Sequence, residues 1–146
     1  MTTIAYRDGV LAGDCRAQSN NGWIGSETTR KVFRLPDGRL VGFAGGFAEV
    51  WPFLRWLRGG MNGDRPKLTD SIVVVVENAR RITVYQDGGD FPLDGRHFHA
   101  WGSGFPAALA AMHAGVDAVM AVKIAAKVDN STNAKVYSVS LSKKKA

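Results

Sequence analysis

The residue best suited to nucleophilic chemistry lies at the start of this chain. Thr2 directly follows Met1, and a threonine hydroxyl is a weak nucleophile that needs a base within hydrogen-bond reach. The α-amine of an N-terminal threonine can be that base, since its pKa of about 8 suits proton transfer at neutral pH. Thr2 could therefore act only after removal of Met1, which methionine aminopeptidases carry out before small residues. Thr3 is the weaker candidate, because two residues would have to be trimmed.

Charged residues that could assist such a nucleophile include Lys31 and Asp14. Lys31 opens the otherwise apolar stretch 31–35 directly after the polar residues 27–30. This places it at the start of a predicted strand, at a sheet edge where an active site can open. A lone lysine is usually solvated, however, and a lone aspartate often lies in a turn. By themselves the two residues do not indicate a site.

Two histidines raise the question of a metal. His97 and His99 alternate around Phe98 on a predicted strand, which would place both imidazoles on one face of a sheet. No carboxylate or thiol accompanies them at the spacing of a metal site, so we expect no metal and no other cofactor. Cys15 adjoins Asp14, but cysteine is also a commonly buried residue type.

Composition and length fit one compact domain over residues 1–146. The chain is 45% apolar, and at this length about two thirds of the unfolded surface can be buried. The single cysteine cannot form an intrachain disulfide. Arg7 and Asp8 interrupt what would be the apolar core of a signal peptide, and no later apolar run approaches the roughly 18 residues that cross a bilayer. We therefore expect a cytoplasmic protein without a membrane partner.

The net charge of +6 is a weak indication of an acidic partner. Three of the positive charges stand together in the tail Lys143-Lys144-Lys145, and the others are scattered. A short basic tail is usually solvated, so we expect residues 142–146 to be disordered and the protein not to bind nucleic acid.

Hydrophobic patterning predicts antiparallel strands with helices grouped between them. Apolar residues at helical spacing predict helices at 47–57, 105–114 and 116–128. Alternating or β-branched runs predict strands at 2–7, 9–14, 31–35, 40–44, 71–76, 80–86, about 96–101 and 135–141. The run at 71–76 is typical of a strand buried on both faces. The polar stretch 19–26 is predicted to be a loop, and Gly45-Gly46 a tight turn. This order indicates an α+β fold.

Five segments of the sequence resemble proteasome β subunits and, more nearly, the bacterial HslV peptidase. They keep the family's order and nearly its spacing, and the resemblance extends over residues 2–141. Any one segment is common, whereas five in register are specific. The segments are Thr2-Thr3-Ile4, Leu11–Asp14, Arg30-Lys31-Val32, Val41–Gly46 and Trp101–Pro106. The resemblance implies the N-terminal-nucleophile hydrolase fold, a four-layer αββα sandwich of two antiparallel sheets between helix layers.

The resemblance also implies a function, that of a threonine peptidase which cleaves peptide bonds through an acyl-enzyme with Thr2 as nucleophile. In the family's arrangement Lys31 lies beside the Thr2 hydroxyl and lowers its proton affinity, while Asp14 orients Lys31. Gly42 occupies the position of the backbone N–H that would bind the oxyanion. A strand glycine can also simply permit close backbone approach.

Further matches concern the N-terminal amine. Ser103 and Asp129 match positions whose side chains contact the amine and its water, and Ser131 or Thr132 is a candidate third member of that network. Asp129 could equally be a turn residue after a helix.

Substrate and partners follow from the same resemblance. Phe33 and Leu40 correspond to walls of the pocket for the side chain before the cleaved bond, so apolar substrate residues are expected. The family acts on polypeptides in homo-oligomeric rings, and an ATP-dependent unfoldase is left open as a partner. Trp51, Phe53 and Trp56 do not fit one narrow helix stripe, so we expect some of these rings to meet another subunit.

The chain departs from the family in one element. Between the helix ending near Leu57 and the strand at Ser71 the family has a second long helix, which forms much of the contact between stacked rings. Here only thirteen residues intervene, three of them glycine, so this helix is predicted to be missing and a double ring is left open. The alternative to a peptidase is a non-catalytic proteasome-like assembly or interaction subunit that keeps Met1. A basic nucleic-acid module is a third reading, favoured by charge alone.

Overall fold

Strands and helices follow the hydrophobic pattern closely. The computed structural model describes residues 2–19 and 21–141, and within them eleven strands and three helices form. The helices are α1 (Phe47–Arg58), α2 (Phe105–His113) and α3 (Ala118–Val128). The strands are β1 (Thr3–Arg7), β2 (Val10–Asp14), β3 (Ala17–Gln18), β4 (Ile24–Ser26), β5 (Val32–Arg34), β6 (Leu40–Ala44), β7 (Ile72–Asn78), β8 (Arg81–Gln86), β9 (Gly89–Asp94), β10 (His99–Gly102) and β11 (Val136–Ser140). Each predicted helix and strand has a counterpart.

Two antiparallel sheets form the centre of the fold. One has four strands in the order β10-β1-β2-β11, and the other has five in the order β5-β6-β7-β8-β9. The hairpin between β1 and β2 turns at Asp8 and Gly9, which both have positive φ, 51° and 78°. A turn of this kind matches the twist of the strands that it joins. A separate two-stranded sheet pairs β3 with β4.

Side chains alternate across both sheets and so create three cores. Ile4 of β1 points into a core between the two sheets, whereas Ala5 faces α2 and α3. In the same way Val74 of β7 lies between the sheets, and Val73 packs with α1. The prediction that this strand is buried on both faces is confirmed. Three cores separate four layers, so the predicted αββα sandwich is confirmed as well.

Two regions differ from the prediction. The stretch 19–26, expected to be a loop, contributes β4, which pairs with β3. The strand β9 was not expected, since Gly88, Gly89 and Pro92 interrupt the alternation of polar and apolar residues. Pro92 is tolerated because β9 is the outermost strand of its sheet, where an N–H can be spared.

The predicted strand at 96–101 begins later, at His99. A turn precedes it, in which the carboxylate of Asp94 accepts a hydrogen bond from the Arg96 amide at 2.9 Å. His97 lies in this turn, and His99 contacts the Asp94 carbonyl oxygen through Nε2 at 2.8 Å. The two imidazoles therefore do not share one face of a strand, and that interpretation of the sequence is wrong. Within residues 2–19 and 21–141, no group of three His, Cys, Asp or Glu side chains could hold a metal ion.

The connection from α1 to β7 contains no helix. Residues 59–71, all of which are described, leave α1 through Gly59 and Gly60, the latter with a φ of +87°. The predicted loss of one family helix is confirmed. Among the described helices, none combines the length and the apolar character needed to cross a membrane. The tail at 142–146 lies outside the described residues, so its disorder stays a prediction.

Candidate active site

The fold places the N-terminal segment against the loop between β10 and α2. Thr3 begins β1 and pairs with Gly102 of β10, and Thr2 is only 4% exposed. A Cβ on Gly102 would lie 1.8 Å from the Thr2 carbonyl oxygen, and one on Gly104 would lie 1.9 Å from Thr3 Oγ1. Both glycines of the Gly102-Ser103-Gly104 run are therefore needed, because any side chain there would displace Thr2 or Thr3.

A buried cation contacts the Thr2 hydroxyl. Lys31 Nζ donates hydrogen bonds to Thr2 Oγ1 at 2.9 Å and to Asp14 Oδ1 at 2.9 Å. The side chain of Lys31 is 2% exposed and that of Asp14 is fully buried. Lys31 directly precedes β5 and Asp14 ends β2, so the two sheets bring the pair together beside Thr2.

The Asp14 carboxylate is held on every side. The amide of Thr3 donates to Oδ1 at 3.0 Å, and the amides of Arg16 and Asn133 donate to Oδ2 at 3.2 Å and 3.3 Å. Burial of a carboxylate is costly unless such partners replace its water. Asp14 is thus fixed in orientation and, through its ion pair, fixes Lys31.

Burial governs the electrostatics of Lys31. Loss of water lowers the pKa of its ammonium group, and the charge of Asp14 with its hydrogen bond opposes that change. A charge interacts more strongly with its neighbours where water is excluded. The ammonium of Lys31 is therefore well placed to stabilise negative charge on Thr2 Oγ1.

A second network lies beside the first. Ser103 Oγ and Thr132 Oγ1 each donate to Asp129 Oδ2 at 2.6 Å. Thr132 thereby uses its only hydroxyl hydrogen, so Thr3 must donate in the 2.7 Å contact between Thr3 Oγ1 and Thr132 Oγ1. Burial alone would raise the pKa of Asp129, but the hydrogen bonds from Ser103, Thr132 and the Ser131 amide lower it. The network presents an ionised carboxylate behind the Ser103 hydroxyl.

Thr2 opens onto a cleft of about 810 Å³. The side chains around it are small or polar, and two turns and the segment around β3 contribute most of them. The lining residues are Thr2, Gln18, Ser19, Gly22, Ala44, Gly45, Gly46, Asp70, Ile72, Gly102, Ser103 and Ser131. The site therefore combines a contacted hydroxyl, a buried cation and an open groove lined by small, polar and aliphatic residues.

Gly42 is not brought to this cleft. It lies inside β6, between β5 and β7, and a Cβ there would lie 3.1 Å from Leu11 and 3.3 Å from Ile4 in the core between the sheets. Its position matches the simpler interpretation of a strand glycine that permits close packing. The cleft is lined by Gly45 and Gly46 instead.

The two expected wall residues also lie elsewhere. Leu40 is fully buried in the core between the sheets. Phe33 stacks on Phe43, with ring centroids 6.3 Å apart, on the α1 side of the five-stranded sheet. Neither residue is among those that line the cleft. Their role as pocket walls stays a prediction, and the cleft itself is lined by small, polar and aliphatic residues.

Sequence reasoning missed Asn133 as a structural member of the site. Its Oδ1 accepts a hydrogen bond from the Cys15 amide at 2.8 Å, and its Nδ2 donates to the Glu27 carbonyl oxygen at 2.9 Å. With its own amide bonded to Asp14, Asn133 ties together three chain segments around the ion pair. Its only sequence signal is its place in the polar run 130–133 after a predicted helix, which indicates a turn equally well.

Comparison with solved structures gives matches along nearly the whole chain. Eukaryotic HslV from Trypanosoma brucei superimposes with a TM-score of 0.74 at 22% identity, over 96% of this chain and 99% of that chain. BPH from Thiobacillus denitrificans gives 0.65 at 20% identity, over 98% and 99% of the two chains. The same protein in complex with epoxomicin gives 0.63 at 22% identity, over 97% and 99%.

Neither a protein-family model nor a curated protein matches the sequence. At identities this low, the structural likeness establishes the fold. The resemblance indicated by the five sequence segments is confirmed at that level: this chain has the αββα fold of HslV and BPH.

Proposed function

We propose that this protein is a threonine peptidase whose nucleophile is Oγ1 of Thr2, exposed by removal of Met1. The observation that carries the proposal is the 2.9 Å contact from Lys31 Nζ to Thr2 Oγ1, inside a buried ion pair and at the edge of an open cleft. A lysine this deeply buried is costly unless it is paired, and here it is directed at one hydroxyl. An ordinary surface lysine would be neither buried nor directed at the Thr2 hydroxyl.

The reaction follows from the groups around Thr2. The α-amine takes the proton of the hydroxyl, and Oγ1 attacks the carbonyl carbon of the scissile bond. The resulting oxyanion collapses as the protonated amine gives its proton to the leaving nitrogen, and an ester to Thr2 remains. Water then attacks this ester with the amine as base, which releases the acid and restores the hydroxyl. The ammonium of Lys31 stabilises the developing alkoxide.

We assign oxyanion binding to the amide of Gly45 rather than that of Gly42. Gly45 lines the cleft with Thr2, and its φ of +127° leaves no room for a side chain, because a Cβ would lie 2.5 Å from Ser71 Oγ. The neighbouring Gly46 amide already donates to Ser71 Oγ at 3.0 Å. A single backbone donor to an oxyanion typically contributes about 3–4 kcal/mol.

We assign the Ser103 and Asp129 pair to the amine. Ser103 lines the cleft beside Thr2 and donates to Asp129. A hydroxyl that donates to a carboxylate keeps its lone pairs for accepting, so it can orient an ammonium or a water. The pair would hold the amine in place while it shuttles the proton.

Hydrolysis of peptides by defined N-terminal forms tests the function. A chain with Thr2 at its N-terminus should cleave the peptides. The Thr2→Ser variant should retain measurable turnover, because it keeps both the hydroxyl and the α-amine. Thr2→Ala should lose it, and so should a wild-type chain carrying an uncleaved N-terminal extension, since it lacks the α-amine. Equal turnover by the extended and trimmed chains would contradict the mechanism.

We also propose that the chain acts as a homo-oligomer on polypeptide substrates. Trp23 is 73% exposed and Trp51 41% exposed, and large apolar side chains at a surface mark interaction sites. This feature equally favours the second candidate function, a non-catalytic assembly subunit that keeps Met1. The state of the N-terminus separates the two. An ATP-dependent unfoldase and a cytoplasmic location stay predictions.

A further inference from the structure

The lining of the cleft beside Thr2 includes one charged side chain. Among the described residues that line it, Asp70 is the one with an ionisable side chain. All other lining side chains are neutral, being hydroxyl, amide, small or aliphatic. Lys31 and Asp129 lie behind this lining, in contact with Thr2 and Ser103, so Asp70 supplies the charge that the lining itself presents.

Asp70 belongs to a segment that is held in place by another acid. The Glu49 carboxylate accepts hydrogen bonds from the Asp70 amide at 3.2 Å and from Ser71 Oγ at 2.8 Å. It also accepts from the amide and hydroxyl of Thr69. These hydrogen bonds lower the pKa of Glu49 to about 2. Hydrogen-bond donors thus surround the Glu49 carboxylate, which holds the segment 69–71 in place.

The same segment borders the proposed oxyanion position. Ser71 lies against Gly45 and accepts from the Gly46 amide, and Ile72 pairs with Ala44. Asp70 therefore stands at the rim formed by Gly45 and Gly46, in the same cleft as Thr2. Within the described part of the chain, its carboxylate makes no hydrogen bond and no ion pair, so it is available to a ligand.

We infer that Asp70 selects polypeptide substrates with a lysine or arginine side chain near the scissile bond. A carboxylate without a partner, on a segment whose backbone is held by Glu49, fits an ammonium or, better, the planar fork of a guanidinium. The net charge of +6 would favour acidic peptides at long range. A preference for basic ones would therefore identify a local carboxylate. The inference rests on the proposed peptidase function and replaces the apolar preference expected from Phe33 and Leu40.

Peptide binding to the Thr2→Ala variant tests the inference without any chemistry. Three dye-labelled peptides of one length, differing only by a central Arg, Leu or Glu, are titrated and followed by fluorescence anisotropy. We expect the Arg peptide to bind about fivefold tighter than the Leu peptide, as for an exposed ion pair. Adding Asp70→Asn should bring the two within twofold. Asp64→Asn, an exposed aspartate outside the cleft, should keep the preference.

The outcomes separate this inference from the peptidase proposal. Equal affinity for the three peptides, no detectable binding of any of them, or a preference that survives Asp70→Asn would overturn the role of Asp70. Cleavage of all three peptides at equal rates by the trimmed chain would do the same and leave the peptidase intact. Binding of the Arg peptide through Asp70 without cleavage of any peptide would uphold the inference and remove the peptidase.

Discussion

At the scale of single residues, the decisive feature is a buried lysine that contacts the hydroxyl of Thr2. Lys31 is buried and bonded to both Thr2 and Asp14, although loss of water lowers the pKa of its ammonium group. Hydrophobic residues of similar volume often stabilise a fold as well as a buried ion pair does. The pair therefore points to chemistry at Thr2 rather than to stability.

Replacement of Lys31 by methionine separates these two roles. Lys31→Met keeps the volume and removes the charge, so peptide turnover should fall by at least about 100-fold, the loss typical of removing a group that stabilises transition-state charge. The chain should still fold, because three backbone amides continue to bond Asp14. Turnover and the thermal midpoint are measured together. Lys67→Met, at an exposed position, is the control, and wild-type turnover in Lys31→Met would remove Lys31 from the mechanism.

At the scale of elements, the connection after α1 contains no helix, and its end is held by hydrogen bonds to Glu49. We call this set of hydrogen bonds the clasp. Glu49 in the first turn of α1 bonds the Thr69 and Asp70 amides and the Ser71 hydroxyl. A carboxylate at this end of a helix is also favoured by the helix dipole. The clasp lets the short segment 59–71 reach β7 and places its last residues at the rim of the cleft.

The clasp predicts a dependence of stability on pH. The pKa of Glu49 is lowered from 4.5 to about 2 by its hydrogen bonds, so the folded chain binds this proton more weakly than the unfolded chain. Its stabilisation is fully present above pH 4.5 and is lost as the pH falls through about 2. Solvent screening limits it to about 1 kcal/mol.

Urea midpoints between pH 6 and pH 2.5 measure the effect. The difference between wild type and Glu49→Gln should be largest above pH 4.5 and should shrink toward pH 2.5. Asp87→Asn, in an exposed turn, corrects for the general effect of removing a negative charge. A difference that stays constant over this range would show that the Glu49 carboxylate does not provide the clasp.

The sequence predicts elements better than it predicts the site. The β-branched run Val73–Val76 identifies β7 without ambiguity, because such a run is stable only between two apolar layers. β9 escapes prediction because an edge strand tolerates Pro92 and two glycines. Lys31 can be placed at a strand start from its phase, but its contact with Asp14 depends on two sheets meeting and is suggested only by family resemblance. Gly42 and Gly45 cannot be told apart by residue type.

At the scale of the whole molecule, the proposed association rests on exposed aromatic side chains. Rings of Phe33, Phe43, Phe47 and Trp51 form an aromatic cluster on the α1 side, with Phe47 and Trp51 stacked at 6.3 Å. Trp51 remains 41% exposed. Trp51 is thus the part of the cluster at the surface, where contact with another subunit would cover it.

Light scattering after size exclusion tests the association. The wild-type chain, of 15.8 kDa, should elute with a mass of several subunits at micromolar concentration. Trp51→Lys should shift the mass toward the monomer, whereas Trp51→Phe should keep the assembly because it preserves an aromatic surface. Near-ultraviolet circular dichroism shows whether the variants fold. A monomeric wild-type protein would contradict the proposed homo-oligomer.

The most direct test of the central claim is the intact mass of the purified chain before and after treatment with an inhibitor directed at N-terminal threonines. We predict a chain that has lost Met1 and gains the mass of one inhibitor at Thr2, with no gain in Thr2→Ala or in Lys31→Met at matched times. A folded chain that keeps Met1, or that loses Met1 and stays unlabelled, would contradict the claim that Thr2 is a catalytic nucleophile.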